Sequence, residues 1–257
     1  MRKKVKQLKI AYFRDKIDSC PDIRLGFRKI RSEAKEVVMV YSGNKRTELH
    51  MINSRRGQEL IRINEEKEKY ERILSKLESE WIDQYGTPCG IMKIKHYGVT
   101  ANRRFFDDLK ECCNTYKSDT ASFYNGTWYK SKLESDFAKL MDEYGVMYKY
   151  EPEIIVTGTN ILNPDFMLYL PWLDLLILVE IFGACSKVDY LNRNKLKLHK
   201  YLLSEWIPGS NMMALYYSDK TPYIREMVME ELENIELRRC LELLYHKNNS
   251  ADWAQPA

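Results

Sequence analysis

Cysteine and histidine occur here in no pattern that would build a zinc site. The six cysteines form no CxxC pair, and only four histidines are present. A zinc ribbon or finger needs closely spaced pairs of such ligands, so this class of protein is excluded. We expect the cysteines to be free thiols in a reducing compartment. They are Cys20, Cys89, Cys112, Cys113, Cys185 and Cys240.

Long apolar runs are also absent. The basic first residues lead into no apolar stretch of signal-peptide length. The longest mainly apolar segment, 168–182, is interrupted by Pro171, Asp174 and Glu180. Because a membrane span needs roughly 18 apolar residues, we expect a soluble, cytoplasmic protein with no membrane partner.

Charge is present but unevenly distributed. Residues 1–60 hold 16 Lys/Arg against 7 Asp/Glu, and the rest of the chain is net acidic although the whole carries +4. A basic region is typical of proteins that bind a polyanion such as nucleic acid. The alternative interpretation is a solvated, charged face, which has the same composition. We expect a basic, largely helical region over 1–125 that binds nucleic acid or a partner, a core over 126–220, and a C-terminal helix with a flexible tail over 221–257.

Within the first region, helical spacing of apolar residues predicts a long amphipathic helix over 56–85, ended by Gly86. The pair Pro21-Asp22 precedes a segment with helical charge spacing, which predicts a helix N-terminus there. A shorter helix is expected after Gly98.

That shorter helix would be capped by Thr100 or Asn102. Preceded by a turn, it permits a helix-turn-helix interpretation with Arg103 near its start. Phe105, Phe106 and Leu109 instead favour a helix packed on the core.

The region 126–220 has a clearer pattern of alternating helices and strands. Its order predicts an α/β fold in which a central mixed sheet is flanked by helices. The predicted elements are a helix at 130–144, extended segments over 146–156, strands at 163–169 and 174–182, a helix at 187–206 and a strand at 211–217.

Two carboxylates stand at the ends of the central strands. Asp165 follows Pro164 at a strand start, and Glu180 lies in the apolar run LLILVEIF. A buried carboxylate is costly unless a cation or hydrogen bonds compensate it. Carboxylate oxygens suit Mg²⁺ or Mn²⁺, and the backbone carbonyl of Ile181 is a candidate further ligand.

With these residues, the segment Tyr129 to Ser218 resembles the PD-(D/E)XK nuclease superfamily, whose restriction-endonuclease-like core runs helix, three strands, helix, strand. The pieces that carry the resemblance are KLESDF, NPDF, LILVEIFG and a Lys-rich helix. The resemblance implies that Asp165 and Glu180 bind the metal and that Glu134 is a third ligand or orients one. The lead-in helix is similar to those of phage resolvase-like nucleases and TnsA-type transposase endonucleases, which suggests a phage or mobile-element protein.

The sequence departs from that family where Phe182 stands in place of the motif lysine. Lys195 falls between Leu191 and Leu198 on an apolar stripe at helical spacing, and unpaired lysines avoid burial. We therefore predict that Lys195 replaces the missing lysine, acting on the attacking water and the phosphate. A lysine that only extends to solvent is the alternative interpretation. The other candidate lysines are Lys187, Lys197 and Lys200.

These residues predict a divalent-metal-dependent endonuclease that cleaves DNA. The alternatives are an RNA endonuclease of the same fold and a non-catalytic nucleic-acid-binding or assembly protein that has lost the lysine. Cutting both strands would need a homodimer or a partner subunit.

Glu151 and Glu153, beside Pro152, are expected to lie in a solvated loop.

Overall fold

A computed structural model describes residues 2–30, 33–92, 94, 98–111, 120–158, 160–183, 188–218 and 220–252. The chain forms two compact units, residues 6–94 and residues 1–5 with 95–257. The first elements along the chain are α1 (Arg2–Ser19), β1 (Asp22–Ile30), β2 (Glu33–Ser42), β3 (Lys45–Met51) and α2 (Arg55–Tyr85). The remaining elements are α3 (Ala101–Asp108), β4 (Ser122–Tyr124), β5 (Thr127–Tyr129), α4 (Lys132–Glu143), β6 (Met147–Tyr150), β7 (Ile154–Val156), β8 (Asn160–Leu162), β9 (Phe166–Leu170), β10 (Leu175–Phe182), α5 (Val188–Leu203), β11 (Met212–Tyr216) and α6 (Arg225–Asp252).

The unit 6–94 contains a three-stranded antiparallel sheet in the order β1-β2-β3. Leu60 of α2 packs against Val38 and Val40 of β2 to form its core. The predicted long helix is confirmed as α2: Ser54 caps its start, and Gly86 ends it in the left-handed conformation with φ 69°. Glycine adopts that conformation without the steric cost of a Cβ atom.

The predicted helix start at Pro21-Asp22 is wrong, because Asp22 begins strand β1. Ile23, Leu25 and Phe27 alternate with polar residues at the spacing of a strand, and β1 pairs with β2 along its whole length. The first region is therefore not simply helical, since it also holds this sheet.

The larger unit is built on a four-stranded mixed sheet in the order β11-β10-β9-β6. β6 and β10 both run antiparallel to β9, and β11 runs parallel to β10. The expected mixed sheet is present, and its helices and strands agree with the prediction to within a few residues. Two short hairpins, β4–β5 and β7–β8, accompany it.

Helices cover both faces of this sheet. On one face Phe137 of α4 packs against Phe166 of β9, with ring centroids 4.8 Å apart. The next residue of β9, Met167, points to the opposite face and joins Phe106 of α3 and Tyr201 of α5 in one core cluster. Strand β10 is buried on both faces along its whole length, as its apolar sequence predicts.

Helix α3 is a packing element, as its apolar residues predict. Thr100 caps its N-terminus, and Phe106 stacks on Tyr169 of the sheet with centroids 5.6 Å apart. Arg103 is engaged by Asp107 at 2.7 Å, which leaves the helix-turn-helix interpretation without support from this residue. Phe105, expected in the core, is instead exposed.

Helix α6 is tied to the turn between β9 and β10. The indole N–H of Trp172 donates a 2.9 Å hydrogen bond to the carboxylate of Glu236, and both residues are buried. Val228, Leu232 and Ile235 of the same helix are also buried. None of the described helices combines the length and apolar character needed to cross a membrane.

Candidate functional site

Glu180 lies inside β10 and is only 3% exposed. Its Oε1 accepts a 2.6 Å hydrogen bond from the hydroxyl of Tyr201 and lies 2.6 Å from Nζ of Lys197, both on α5. Burial raises the pKa of Glu180, and the contacts with Lys197 and Tyr201 oppose that rise. The expected compensation for this buried carboxylate therefore exists, and it comes from helix α5.

Asp165 lies between Pro164 and the start of β9. Its Oδ2 accepts a 2.6 Å hydrogen bond from the backbone N–H of Ile181, the residue after Glu180. Burial raises the pKa of Asp165 well above its usual range, and the negative charge of Glu180 raises it further. The two carboxylates predicted to converge do lie close enough to repel each other, and a cation would relieve that repulsion.

Glu134 lies at the third position of α4 and is buried. The backbone N–H of Lys130 and the hydroxyl of Tyr150 donate to its Oε2 at 3.0 and 2.6 Å, while Ser131 donates to its Oε1 at 2.8 Å. In return, the side chain of Ser131 accepts from the backbone N–H of Glu134. Glu134 is thus part of a helix cap, and its charge also contributes to the raised pKa of Asp165.

Glu151 belongs to the same region, although the sequence placed it in a solvated loop. It is 3% exposed, ion-paired with Lys130, and its backbone N–H donates to the carbonyl of Asp165 at 2.9 Å. Its negative charge also raises the pKa of Glu180. The expectation of a solvated loop is therefore wrong for Glu151 and confirmed for the exposed Glu153.

The backbone conformation of Glu151 is unusual, with φ 43° in the left-handed region. A residue with a Cβ atom adopts this conformation at a cost, and such residues cluster at functional sites. Nothing in the sequence marks this conformation. Membership of the site has one signal in the sequence: Glu151 directly follows a strand, just as Asp165 directly precedes one.

Lys130 connects the acidic residues on this side of the site. Burial lowers its pKa, but Glu151, Glu134 and Asp165 raise it by a larger amount in total, so that the net shift is upward. We use the name carboxylate site for the four acids and their two lysines. Its members are Lys130, Glu134, Glu151, Asp165, Glu180 and Lys197.

Lys195 does not lie where the sequence pattern placed it. Its side chain is exposed on α5, so the burial argument that selected it is wrong. Lys197, one of the alternatives, contacts Glu180 and also donates to the carbonyl of Asn163 at 2.9 Å. Lys200 is half-buried, and Lys187 lies outside the described residues.

Phe182 occupies the position of the motif lysine of the resembled family. It is buried and stacks on Tyr216 of β11, with centroids 4.9 Å apart and ring planes 20° from parallel. Because alternate residues of a strand share a face, Phe182 lies on the same face of the sheet as Glu180. The aromatic stack fills this position, and Lys197 reaches Glu180 from the helix instead.

Asn194 adds an unpaired donor to the same helix face. Its side-chain Nδ2 is buried and has no hydrogen-bond partner in the described part of the chain. Asn194, Lys197 and Tyr201 follow one another at i, i+3 and i+7, so they share one face of α5. A buried amide donor without a partner is costly, and a bound ligand would supply an acceptor.

The carboxylate site offers two carboxylates, Asp165 and Glu180, as ligands for a divalent cation. Among the described residues, no group of three or more His, Cys, Asp or Glu side chains is arranged to hold a metal ion. Mg²⁺ is commonly bound by only one or two carboxylates while retaining several waters. Asp165 and Glu180 meet that requirement, and the carbonyl of Ile181 remains a predicted ligand. The four acids of the carboxylate site exceed its two lysines by two charges when all are ionised, which favours a dication.

Comparison of the chain with protein-family models, curated proteins and solved structures finds no match. The resemblance to the PD-(D/E)XK nucleases therefore depends on the residues and geometry described above.

Proposed function

We propose that this chain is a divalent-metal-dependent endonuclease that hydrolyses phosphodiester bonds in DNA, with a core of the PD-(D/E)XK type. The observation that carries the proposal is the junction of Asp165, Glu180 and Lys197, in which a half-buried carboxylate at the start of β9 and a buried one in the adjacent β10 meet a lysine from the following helix. The order α4, β6, β9, β10, α5, β11 supports the proposal, since it follows the family's helix, three strands, helix, strand with one inserted hairpin.

The roles follow from the contacts. Asp165 and Glu180 hold the cation, which when bound supplies a Lewis acid and an acidified water. The N–H of Ile181 fixes the orientation of Asp165, and the hydroxyl of Tyr201 fixes that of Glu180. Lys197 keeps a positive charge beside Glu180, where it stabilises the negative charge that develops on the phosphate.

Two further residues complete the assignment. Glu134 acts through the helix cap, which holds its carboxylate beside Asp165. Asn194 offers its unpaired amide donor to a phosphate oxygen of the substrate.

Two contacts favour a second candidate function. The stack of Phe182 on Tyr216 and the ion pair between Lys197 and Glu180 would also suit a nucleic-acid-binding or assembly protein that is stable without a metal. In that case Lys197 would act only as the counter-charge of Glu180.

The test incubates the purified protein with supercoiled plasmid, single-stranded DNA and single-stranded RNA in Mn²⁺. Asp165→Asn and Lys197→Ala are the test variants, and Lys195→Ala is the matched control that removes an exposed lysine from the same helix. We expect nicked or linear plasmid from the wild type and from Lys195→Ala, and none from the other two. Circular dichroism tests whether each variant is folded.

The other outcomes separate the alternatives. Cleavage of RNA alone would establish the RNA endonuclease. Equal cleavage by Lys197→Ala and wild type would remove the lysine from the mechanism. DNA binding without cleavage, unchanged in Asp165→Asn, would support the non-catalytic protein.

A further inference from the structure

The hairpin of β1 and β2 extends beyond its sheet. These strands pair over nine residue pairs, from Asp22↔Tyr41 to Ile30↔Glu33. The third strand, β3, pairs with β2 only from Val37 to Ser42. The distal part, residues 27–30 and 33–36, is therefore a two-stranded ribbon about 14 Å long, from a rise of about 3.4 Å per residue. We call this part, with the preceding residues 24–26, the β-ribbon.

One face of the β-ribbon places like charges side by side. Arg28 and Lys35 are direct cross-strand partners, and Arg24 lies on the same face because it is four residues from Arg28. Like charges directly opposite each other in an antiparallel pair destabilise it. Glu33 lies 3.6 Å from Lys35 and Asp22 lies 2.8 Å from Arg24, but Arg28 has no acidic partner within the described chain.

The other face exposes apolar side chains beside another cation. Phe27 is 74% exposed and Leu25 is 57% exposed. Both lie on the face of the sheet that carries the buried Val38, the cross-strand partner of Leu25. Lys29 lies on this face as well and is exposed. Glu36, the cross-strand partner of Phe27, is exposed on this face too. The β-ribbon therefore carries cationic side chains on both faces, four cations against the two acids Glu33 and Glu36, with an exposed aromatic ring on one face.

Cations on both faces suit the major groove of duplex DNA better than they suit a flat anionic surface such as a membrane. The groove is about 12 Å wide and admits a two-stranded β-ribbon, and both of its walls are lined with phosphates. Cations on both faces of the β-ribbon would meet both walls. A membrane surface would be contacted by one face only, which would leave Arg28 and Lys35 without a partner when Phe27 is inserted.

We propose that the β-ribbon is a DNA-binding arm that enters the major groove, with Arg28 and Lys35 on phosphates and Phe27 against the base edges. The inference rests on the proposed function only for the choice of DNA as ligand, since it requires no cleavage. It assigns the nucleic-acid contact of the basic N-terminal region to one short segment.

The experiment measures binding to a fluorescein-labelled duplex of about 20 base pairs by anisotropy, in EDTA and at several salt concentrations. The test variant is Arg28→Ala/Lys35→Ala. The matched control is Arg62→Ala/Arg72→Ala, which removes the same charge from two exposed positions of α2 in the same unit. All four positions are exposed, so we expect the fold to be retained, and circular dichroism tests this.

We expect the β-ribbon variant to bind at least tenfold more weakly and the slope of log K against log salt to fall by about 2, because each phosphate contact contributes about 0.9. The control changes the slope by less than about 0.5. Phe27→Ala should weaken binding without changing the slope, since it removes no charge.

Equal losses in the β-ribbon variant and the control would overturn the proposal, because binding would then be spread over the basic surface. The proposal would also fail if the β-ribbon variant lost binding to vesicles of anionic phospholipid but kept its DNA affinity. Cleavage in Mn²⁺ is measured separately. If the wild type does not cleave DNA but the β-ribbon variant binds it more weakly than the control does, only the endonuclease is rejected. If the wild type cleaves DNA but the β-ribbon variant binds it as well as the control does, only the DNA-binding arm is rejected.

Discussion

Two carboxylates of the unit 6–94 and two of the other unit differ in the direction in which their pKa values shift. In the unit 6–94, a hydrogen bond from Arg24 lowers the pKa of Asp22, and hydrogen bonds from Arg56 and His50 lower that of Glu48. In the other unit, burial raises the pKa values of Asp165 and Glu180. The first pair is satisfied by arginine, whereas the second pair, the buried Glu180 and the half-buried Asp165, lies in a site that favours a proton or a cation.

The direction of the pKa shift distinguishes acids that stabilise the fold from acids that are available to bind a ligand. An exposed carboxylate beside arginine is most favourable when ionised and needs nothing further. A buried carboxylate beside another acid opposes its own ionisation, so the folded protein gains when a cation binds. Each prediction below alters one side of this comparison.

The largest effect is expected from Lys197→Met. It leaves Glu180 buried without its counter-charge, which costs about 3 kcal/mol of unfolding free energy. Adding Glu180→Gln should restore most of that loss, because the uncompensated charge is gone. Urea denaturation measures both variants, and Lys195→Met is the control, expected to change stability by less than about 0.5 kcal/mol. Equal effects at positions 195 and 197 would contradict the assignment of the buried ion pair.

Asp165→Asn tests the raised pKa itself. A carboxyl whose pKa is raised in the folded state holds its proton longer than in the unfolded chain, so stability falls as pH rises above the unfolded value of about 4. In EDTA, the melting temperature of the wild type should therefore fall relative to that of Asp165→Asn between pH 4 and pH 8.

Mn²⁺ should reverse this difference. At 100 times its dissociation constant a cation adds about 2.7 kcal/mol to the wild type. It should leave the melting temperature of Asp165→Asn nearly unchanged. An equal rise in both proteins would place the cation elsewhere.

Ser131→Ala should cost about 1 kcal/mol, because it removes the side-chain cap of α4. Glu134→Gln should cost less, since glutamine also serves in a capping box. Cleavage separates the roles: a cap alone predicts near-normal activity for Glu134→Gln, while an electrostatic role beside Asp165 predicts a loss. Thermal melts and plasmid cleavage on the same samples provide the two measurements.

The smallest effect is expected on the surface. The pKa of Glu48 is lowered by Arg56, so its stabilising contribution is present at neutral pH and lost as pH falls through the lowered value. Glu48→Gln should therefore reduce the melting temperature slightly at pH 7, and the difference from wild type should vanish in acid. A difference that grew on acidification would contradict the sign of the shift.

The elements that could be predicted from the sequence are those whose local pattern agrees with their packing. Helix α2 has uninterrupted helical spacing and a glycine at its end, and β10 has an apolar run that suits a strand covered on both faces. The charges of strand β1 also recur at helical intervals, so the sequence alone predicts a helix there. Its pairing with β2 decides the matter, and strand formation depends on such cross-strand contacts.

The site was predictable only in part for the same reason. Glu180 and Asp165 stand out because a charge beside or inside an apolar strand requires a partner. The sequence pattern predicts Lys195 rather than Lys197 because the apolar stripe extends through Leu202, which is exposed in the structure.

The side of α5 that meets Glu180 instead carries Lys197 and Tyr201, and polar residues give no apolar stripe to read. Glu151 is not predictable in this way, because its ion-pair partner Lys130 lies 21 positions away in the sequence.

The bond between Trp172 and Glu236 also bears on how this protein can be divided. A fragment ending at residue 220 would contain every member of the carboxylate site, yet it would remove the acceptor of the Trp172 indole. It would also remove Val228, Leu232 and Ile235, which are buried in the whole chain. Uncovered apolar surface of this kind promotes aggregation. The smallest expressible piece that carries the site therefore extends at least through Glu236.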